Sequence, residues 1–164
     1  MNIYNATLQD IPVIRSIAEQ TWWPTYGPIL SREQLQFMLD VIYSEEALRD
    51  AILQGQEFIL IADGGVVQGF ASFAPRTEDA KVYKLHKLYV LPGHHGKGYG
   101  KALLAEVVHR SVAGGAGNLD LNVNRFNPAI PFYERAGFAI LREEDVPIGK
   151  YFMNDFVMRK RLEV

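Results

Sequence analysis

Three glycines at alternate positions, Gly96, Gly98 and Gly100, with Lys97 and Lys101 beside them, form the stretch of this chain best suited to hold an anion. Glycine loses more backbone entropy on folding than any other residue, so such a cluster persists where the backbone itself must act. Backbone N–H groups gathered in a turn, with the positive end of a helix dipole behind them, bind phosphate. Side chains would hold the anion away from those donors. A tight turn with no ligand is the competing explanation. Two familiar phosphate loops fail here. The dinucleotide fingerprint needs glycine at 101, where the chain has Lys101, and a P-loop needs lysine at 99, where it has Tyr99.

The cradle needs a strand before it and a helix after it, and the flanking sequence offers both. KVYKLHKLYVLP reads as a long strand ending at Pro92, and a helix is expected from about Gly98 to Ser111. Further upstream, Ile3 and Tyr4 suggest a short strand, and Thr7 caps a helix carrying Ile11, Ile14, Ile17 and Ala18 at helical spacing. TWWPTYGPIL reads as an aromatic, proline-containing loop. Ser31 with Gln34 signals a capping box, and Ser44 caps a further short helix ending near Gly55. EFILIADGGVVQGFASFA reads as two strands joined at Asp63-Gly64-Gly65. Beyond the cradle helix come the strand LDLNV, a short helix AIPFYERA closed by Gly137, and the strands FAILRE and FVMRKRL. The strand–helix–strand unit implies one parallel pair in an otherwise antiparallel sheet, hence an α/β fold with a mixed sheet.

The bulk properties narrow the function classes. At 164 residues the chain is expected to form a single domain over 1–164 with a sizeable core. A formal net charge of -2 gives no broad basic field, which argues against nucleic acid as the main partner. Cysteine is absent, which removes disulfides, thiolate metal sites and cysteine nucleophiles. No secretory leader or membrane-length apolar run is visible, so a cytoplasmic location away from the membrane is expected, and no metal site is suggested.

The stretch His95-Gly96-Lys97-Gly98-Tyr99-Gly100 resembles the pyrophosphate loop of the GNAT superfamily of acyl-CoA N-acyltransferases, Arg/Gln-x-x-Gly-x-Gly/Ala, with His95 departing from the usual Arg or Gln. Downstream, LNVNRFNPAIPFYERAGF is similar to that family's second signature through Asn127, Ala129, Phe132, Tyr133, Gly137 and Phe138. The resemblance covers essentially the whole chain. It implies a GNAT-like fold, a central mixed and mostly antiparallel sheet with splayed parallel central strands flanked by helices. It also implies acetyl-CoA or coenzyme A as cofactor. The pantetheine arm would then lie against the backbone of Leu88, Tyr89 and Val90, the pyrophosphate on the cradle from His95 to Lys101, and Asn127 would bind from the facing element. Asn124 could share that role, because the family commonly spaces its asparagine one residue further from the tyrosine. Asn127-Pro128 is also a good helix cap, and Pro131 is expected to distort the first turn slightly.

By the same resemblance Tyr133 protonates the departing thiolate, a role suited to a phenol that stays protonated at neutral pH, although a core tyrosine is the alternative. A backbone N–H near Val90 could polarise the thioester carbonyl. His86 is the candidate base, the only side chain on its strand with an ordinary pKa near neutrality, against the alternative of a structural histidine. The acceptor region points to Trp22, Trp23 and Tyr26 as an aromatic wall for a cation, or as core. Glu143, Glu144, Asp145 and Asp155 could attract a protonated amine, though a solvated acidic loop is the commoner explanation of such a run. TWWPTYGPILSREQ is similar to the equivalent region of bacterial polyamine N-acetyltransferases. The expected activity is acetyl transfer to a primary amine of a small molecule, a polyamine-like cation among the candidates, or of a peptide. A silent acyl-CoA-binding module is the alternative, and a homodimer is compatible with either.

Overall fold

The computed structural model of the chain describes residues 1–93 and 96–163. Strand β1 (Asn2–Asn5) leads through a 3₁₀ turn at Leu8–Asp10 into α1 (Ile11–Tyr26). Thr7 caps the turn reciprocally: its hydroxyl accepts from the Gln9 N–H at 3.3 Å, and the Asp10 carboxylate accepts from the Thr7 N–H at 2.8 Å. Ser31 and Ser44 open α2 (Arg32–Tyr43) and α3 (Glu45–Leu53) by accepting from the N–H groups of Gln34 and Ala47. Then follow β2 (Glu57–Asp63), β3 (Val66–Pro75), β4 (Val82–Val90), α4 (Tyr99–Ala113), β5 (Asn118–Asn124), α5 (Ile130–Arg135), β6 (Ala139–Ile148) and β7 (Tyr151–Arg161).

The strands form one seven-stranded sheet in the order β1-β2-β3-β4-β5-β7-β6. Among the described residues only β4 and β5 run parallel, as the α4 crossover between them requires. The β2–β3 hairpin turns at Gly64 and Gly65, both at positive φ (61° and 79°), the conformation that suits a two-residue turn on twisted strands. Alternation along the strands gives two cores. One face buries Ile59, Phe73, Leu85, Leu119 and Leu121 against Leu103 and Val107 of α4. The other buries Leu60 and Phe70 against Ile14, Leu35 and Leu48 of the first three helices.

Two segments differ from the sequence expectation. The aromatic segment is not a loop at its start: α1 continues to Tyr26 with Pro24 inside it. Proline removes one i→i−4 bond, but in the last turn that loss is small, and the Gly27 N–H still reaches the Trp23 carbonyl at 2.9 Å. The acidic run Glu143–Asp145 lies on β6 rather than in a loop. Pro147 is tolerated there because β6 is an edge strand.

The site depends on one irregularity. β4 and β5 pair only from Val82 opposite Asn118 to Leu85 opposite Leu121, although both strands continue. Across the other side of β4, Ser72 opposes Lys87 and Phe73 opposes Leu85, so His86 is the extra residue of a bulge. A bulge bends and twists its strand, which here turns β4 away from β5 and opens a wedge between them.

Candidate active site

The wedge is the core of a cleft of about 900 Å³ that runs from the start of α4 to the end of α1. At the α4 end, Gly96 and Gly98 adopt φ of 87° and 83°, the left-handed region that side chains strain to reach. A Cβ on either glycine would meet nothing within 4 Å, so the space in front of the backbone is open. Gly98 caps α4 without a side-chain hydrogen bond, and the Ala102 N–H is bonded to the Gly98 carbonyl at 3.0 Å. The N–H groups of Tyr99, Gly100 and Lys101 precede that first helical bond and have no intrahelical acceptor. Tyr99 is buried, and its hydroxyl donates to Asp63 at 2.7 Å, which ties the helix start to β2. Gly100 and Lys101 also line the cleft, while Lys97 is exposed and stands outside its wall. His95 lies outside the described residues.

Leu88, Tyr89 and Val90 of β4 form one wall, and Asn122 and Val123 of β5 face them. Asn127 and Tyr133 close the cleft from the α5 side. Asn127 accepts from the Ala129 N–H at 2.8 Å and donates to the Tyr26 hydroxyl at 3.2 Å; the Tyr26 and Tyr89 hydroxyls are themselves 3.2 Å apart. This relay joins the lead-in to α5 to the last turn of α1. Asn124 is occupied elsewhere: its carbonyl oxygen accepts from the Phe126 N–H at 2.9 Å, its amide approaches the Met153 sulfur at 3.2 Å, and it is not on the cleft wall. Pro131 falls at the start of α5, where no intrahelical donor is needed, so the expected distortion has no cause.

Tyr133 packs edge-on against Phe132 and Phe138, with ring centroids at 5.2 and 5.7 Å. Its hydroxyl has no hydrogen-bond partner among the described residues and is not sealed from the cleft. Burial, with the neighbouring Tyr26, pushes the phenol above its ordinary value, so it holds its proton at neutral pH. His86 projects from the bulge and is accessible from the cleft. Desolvation by the surrounding protein, then the charges of Lys84, Lys87 and Arg76, hold the imidazole well below its usual range. It is neutral at pH 7 and binds a proton weakly.

The acceptor candidates separate. Tyr26 lines the cleft. Trp22 is a core residue, 3% exposed, its ring 4.6 Å from Tyr26 and 5.6 Å from Tyr43. Trp23 lines a shallow depression with Gly27, Leu30 and Arg32, apart from the cleft. Glu143 and Asp145 are exposed on β6 and paired with Arg125 at 3.7 and 2.9 Å. Glu144 and Asp155 sit opposite one another on β6 and β7, joined by the Asn122 amide, which donates to both at 3.0 and 3.2 Å. Asn122 itself was not singled out from the sequence. Its signal is the alternation of β5, where Asp120, Asn122 and Asn124 put polar side chains on one face of an interior strand.

The profile of the Acetyltransferase (GNAT) family matches residues 17–138. An uncharacterized N-acetyltransferase of Mycobacterium tuberculosis is 31% identical, over 94% of this chain and 99% of that protein. The spermidine N(1)-acetyltransferase of Thermoplasma acidophilum is 27% identical, over 99% of this chain and 98% of that one. Among solved structures, the PaiA N-acetyltransferase of Thermoplasma acidophilum in complex with coenzyme A superimposes with a TM-score of 0.82 at 27% identity, covering 98% of this chain and 99% of that chain. A bulged, splayed parallel pair, a glycine cradle at a helix start and a family profile that spans them agree: the chain belongs to the GNAT family and is an N-acetyltransferase.

Proposed function

We propose that this N-acetyltransferase moves an acetyl group from acetyl-CoA directly to a primary amine of a small, cationic molecule. The observation that carries the proposal is a single cleft lined both by the glycine cradle and by the accessible hydroxyl of Tyr133. The open space in front of Gly96 and Gly98 fits a pyrophosphate, which would take the N–H groups of 98–101. Leu88, Tyr89 and Val90 would run beside the pantetheine arm, with Asn127 opposite. Bound acetyl-CoA would supply an acetyl group activated as a thioester. Tyr133 holds a proton at its Oη for the leaving sulfur. Glu144 and Asp155 lie behind Asn122 of the cleft wall, one hydrogen bond away, and their negative charge favours a cationic acceptor, as does the likeness to a spermidine acetyltransferase.

Cofactor binding is read from thermal stability. A ligand at 100 times its Kd should stabilise the native state by about 2.7 kcal/mol, which for a chain of this size raises Tm by roughly 5–10 °C. Gly98→Val should abolish most of that shift, through strain at positive φ and through a side chain in the cradle. Thiol release from acetyl-CoA across polyamines, amino acids, aminoglycosides and N-terminal peptides identifies the acceptor. Binding of CoA with no thiol release on any amine would make the protein a silent sensor. Tyr133→Phe should leave CoA affinity unchanged and lower kcat by about 10², the low end for loss of a general acid; normal kcat in that variant would remove Tyr133 from the chemistry.

A further inference from the structure

We propose that the Tyr26 hydroxyl is a catalytic hydrogen-bond donor to the oxygen of the acetyl group, held in place by Tyr89 and Asn127; this rests on the acetyltransferase reading above. Tyr26 closes α1, Tyr89 lies on β4 and Asn127 leads into α5, and all three line the cleft. Their polar ends meet at one atom. The Tyr26 oxygen accepts from the Asn127 amide at 3.2 Å and stands 3.2 Å from the Tyr89 hydroxyl. The Asn127 carbonyl oxygen is turned to the Ala129 N–H at 2.8 Å. Two hydroxyls carry two protons, and the bond between them uses one. Among the described residues neither oxygen has a further hydrogen-bond partner to accept the second. Tyr43 stands behind Tyr89, close enough for the two phenols to shift one another, but it brings a third proton rather than a bare acceptor. The cluster has one proton too many.

That surplus proton belongs at the cleft end. Were the bonds to run from Tyr26 toward Tyr43, the free O–H would end on a side chain that is 2% exposed, where an unmade bond is costly. In the other direction every buried proton is taken, and the Tyr26 O–H is left to the cleft. Burial raises the Tyr26 phenol, but the bonds from Tyr89 and Asn127 pull it back, while the same contact raises Tyr89, as a bond that Tyr89 donates would do. Accepting two bonds polarises the Tyr26 O–H and strengthens it as a donor. Tyr133, which holds a proton for the sulfur, is close enough to Tyr26 for that charge to raise it. In a thioester the sulfur and the carbonyl oxygen share one carbon, so a sulfur at Tyr133 brings the oxygen into the same neighbourhood. A corner rich in donors suits an oxygen that gains negative charge.

The balance is simple. As the amine nitrogen bonds to the acetyl carbon, a carbonyl electron pair moves onto the oxygen and the hydrogen bond from Tyr26 strengthens; the proton stays on Tyr26. The pair then returns, the carbon–sulfur bond breaks, and the sulfur receives the proton of Tyr133. The amine gives its surplus proton to solvent, and Tyr133 regains one.

The test uses the full chain and the ketone analogue of acetyl-CoA in which a methylene replaces the sulfur, ¹³C-labelled at the carbonyl. Bound to the wild type, its carbonyl resonance should lie downfield of the free analogue, and Tyr26→Phe should move it back upfield. This readout needs no turnover and holds whichever amine is the acceptor. With acetyl-CoA and spermidine, Tyr26→Phe should keep the CoA-induced thermal shift and the KM for spermidine, because the ring remains, and lose about 10²–10³ in kcat. Tyr89→Phe should lose about tenfold or less, since Tyr26 keeps its proton and the Asn127 bond. A carbonyl resonance that Tyr26→Phe leaves in place overturns the proposal. So does a raised KM at normal kcat, which would make Tyr26 a wall for the acceptor. If CoA gives no thermal shift in the wild type, the cofactor reading fails and takes the proposal with it.

Discussion

Asp120 and Asp155 are both carboxylates buried on the same face of the sheet, on adjacent strands, and they live in opposite surroundings. Asp120 is saturated: Oδ1 accepts from Arg159 Nε at 2.7 Å, and Oδ2 accepts from Arg159 Nη2 at 3.0 Å and from Arg76 at 3.2 and 3.3 Å. Burial alone would raise its carboxyl, but the bonds and charges of Arg159 and Arg76 outweigh that, and the net shift is downward. Asp155 has one amide for a partner and is pushed up. The pair separates two uses of a buried charge. One clamps β5 and β7 to the end of β3; the other is left with an unsatisfied oxygen sealed from solvent.

The sharpest way to break the contrast is Asp120→Asn. Removing the charge leaves Arg76 and Arg159 facing a neutral amide. The expected loss is about 3 kcal/mol, the low end for breaking a buried pair, because the arginines are 18% and 36% exposed and can rehydrate. Tm should fall by roughly 6–12 °C, with turnover of the folded enzyme nearly unchanged.

Asp155→Asn should do the reverse. The native carboxyl at about 6 lies above an unfolded value of about 3.9, so between those pH values the native state binds more protons and stability falls as pH rises. Above pH 6 the ionised group is a standing cost, and the asparagine variant should be more stable by up to about 2 kcal/mol at pH 8 and equal to wild type at pH 4. Asp120 contributes with the opposite sign: its stabilisation is present above about pH 4 and lost as pH falls through its lowered value. Urea unfolding across pH in the two variants measures both slopes.

Asn122→Ala should have a smaller effect. It deletes the one side-chain donor to Asp155 Oδ2 among the described residues, so the Asp155 carboxyl should titrate higher by about a unit or less, for a bond worth about 1 kcal/mol. A carboxyl resonance that titrates unchanged in this variant would show that the Asn122 bond does not set it. Smallest of all are the exposed charges. Glu144→Gln should raise KM for spermidine by about 2–3 fold at low salt and less at high salt, while Glu143→Gln, paired with Arg125 on the far edge, should change neither KM nor stability measurably.

Much of this was legible in the sequence because local chemistry dictated it. The glycine cradle, the Gly64-Gly65 hairpin and the serine caps appear where residue types demanded them. The aromatic segment misled because proline outweighed periodicity, although Ala18, Trp22 and Tyr26 continue the four-residue spacing of Ile14. That spacing also explains why Trp22 is core and Trp23 is not. The diagonal hydrogen bond from Asn122 to Asp155 was illegible for a different reason. It depends on the register of β5 against β7, and no local signal reports which residues meet across strands distant in sequence.

The bulge at His86 acts as a one-residue change of phase along β4. Leu85 packs on the α4 side of the sheet, and so do Leu88 and Val90, odd separations that a regular strand cannot give. Tyr89 and Leu91 are thereby delivered to the α1 side, beside Tyr26. His86 thus carries information that is not in its ring. His86→Ala keeps the count of residues and should keep the wedge, whereas deleting residue 86 would restore regular alternation, leave Leu88 and Tyr89 on the faces they now hold, and remove the bend that opens the wedge.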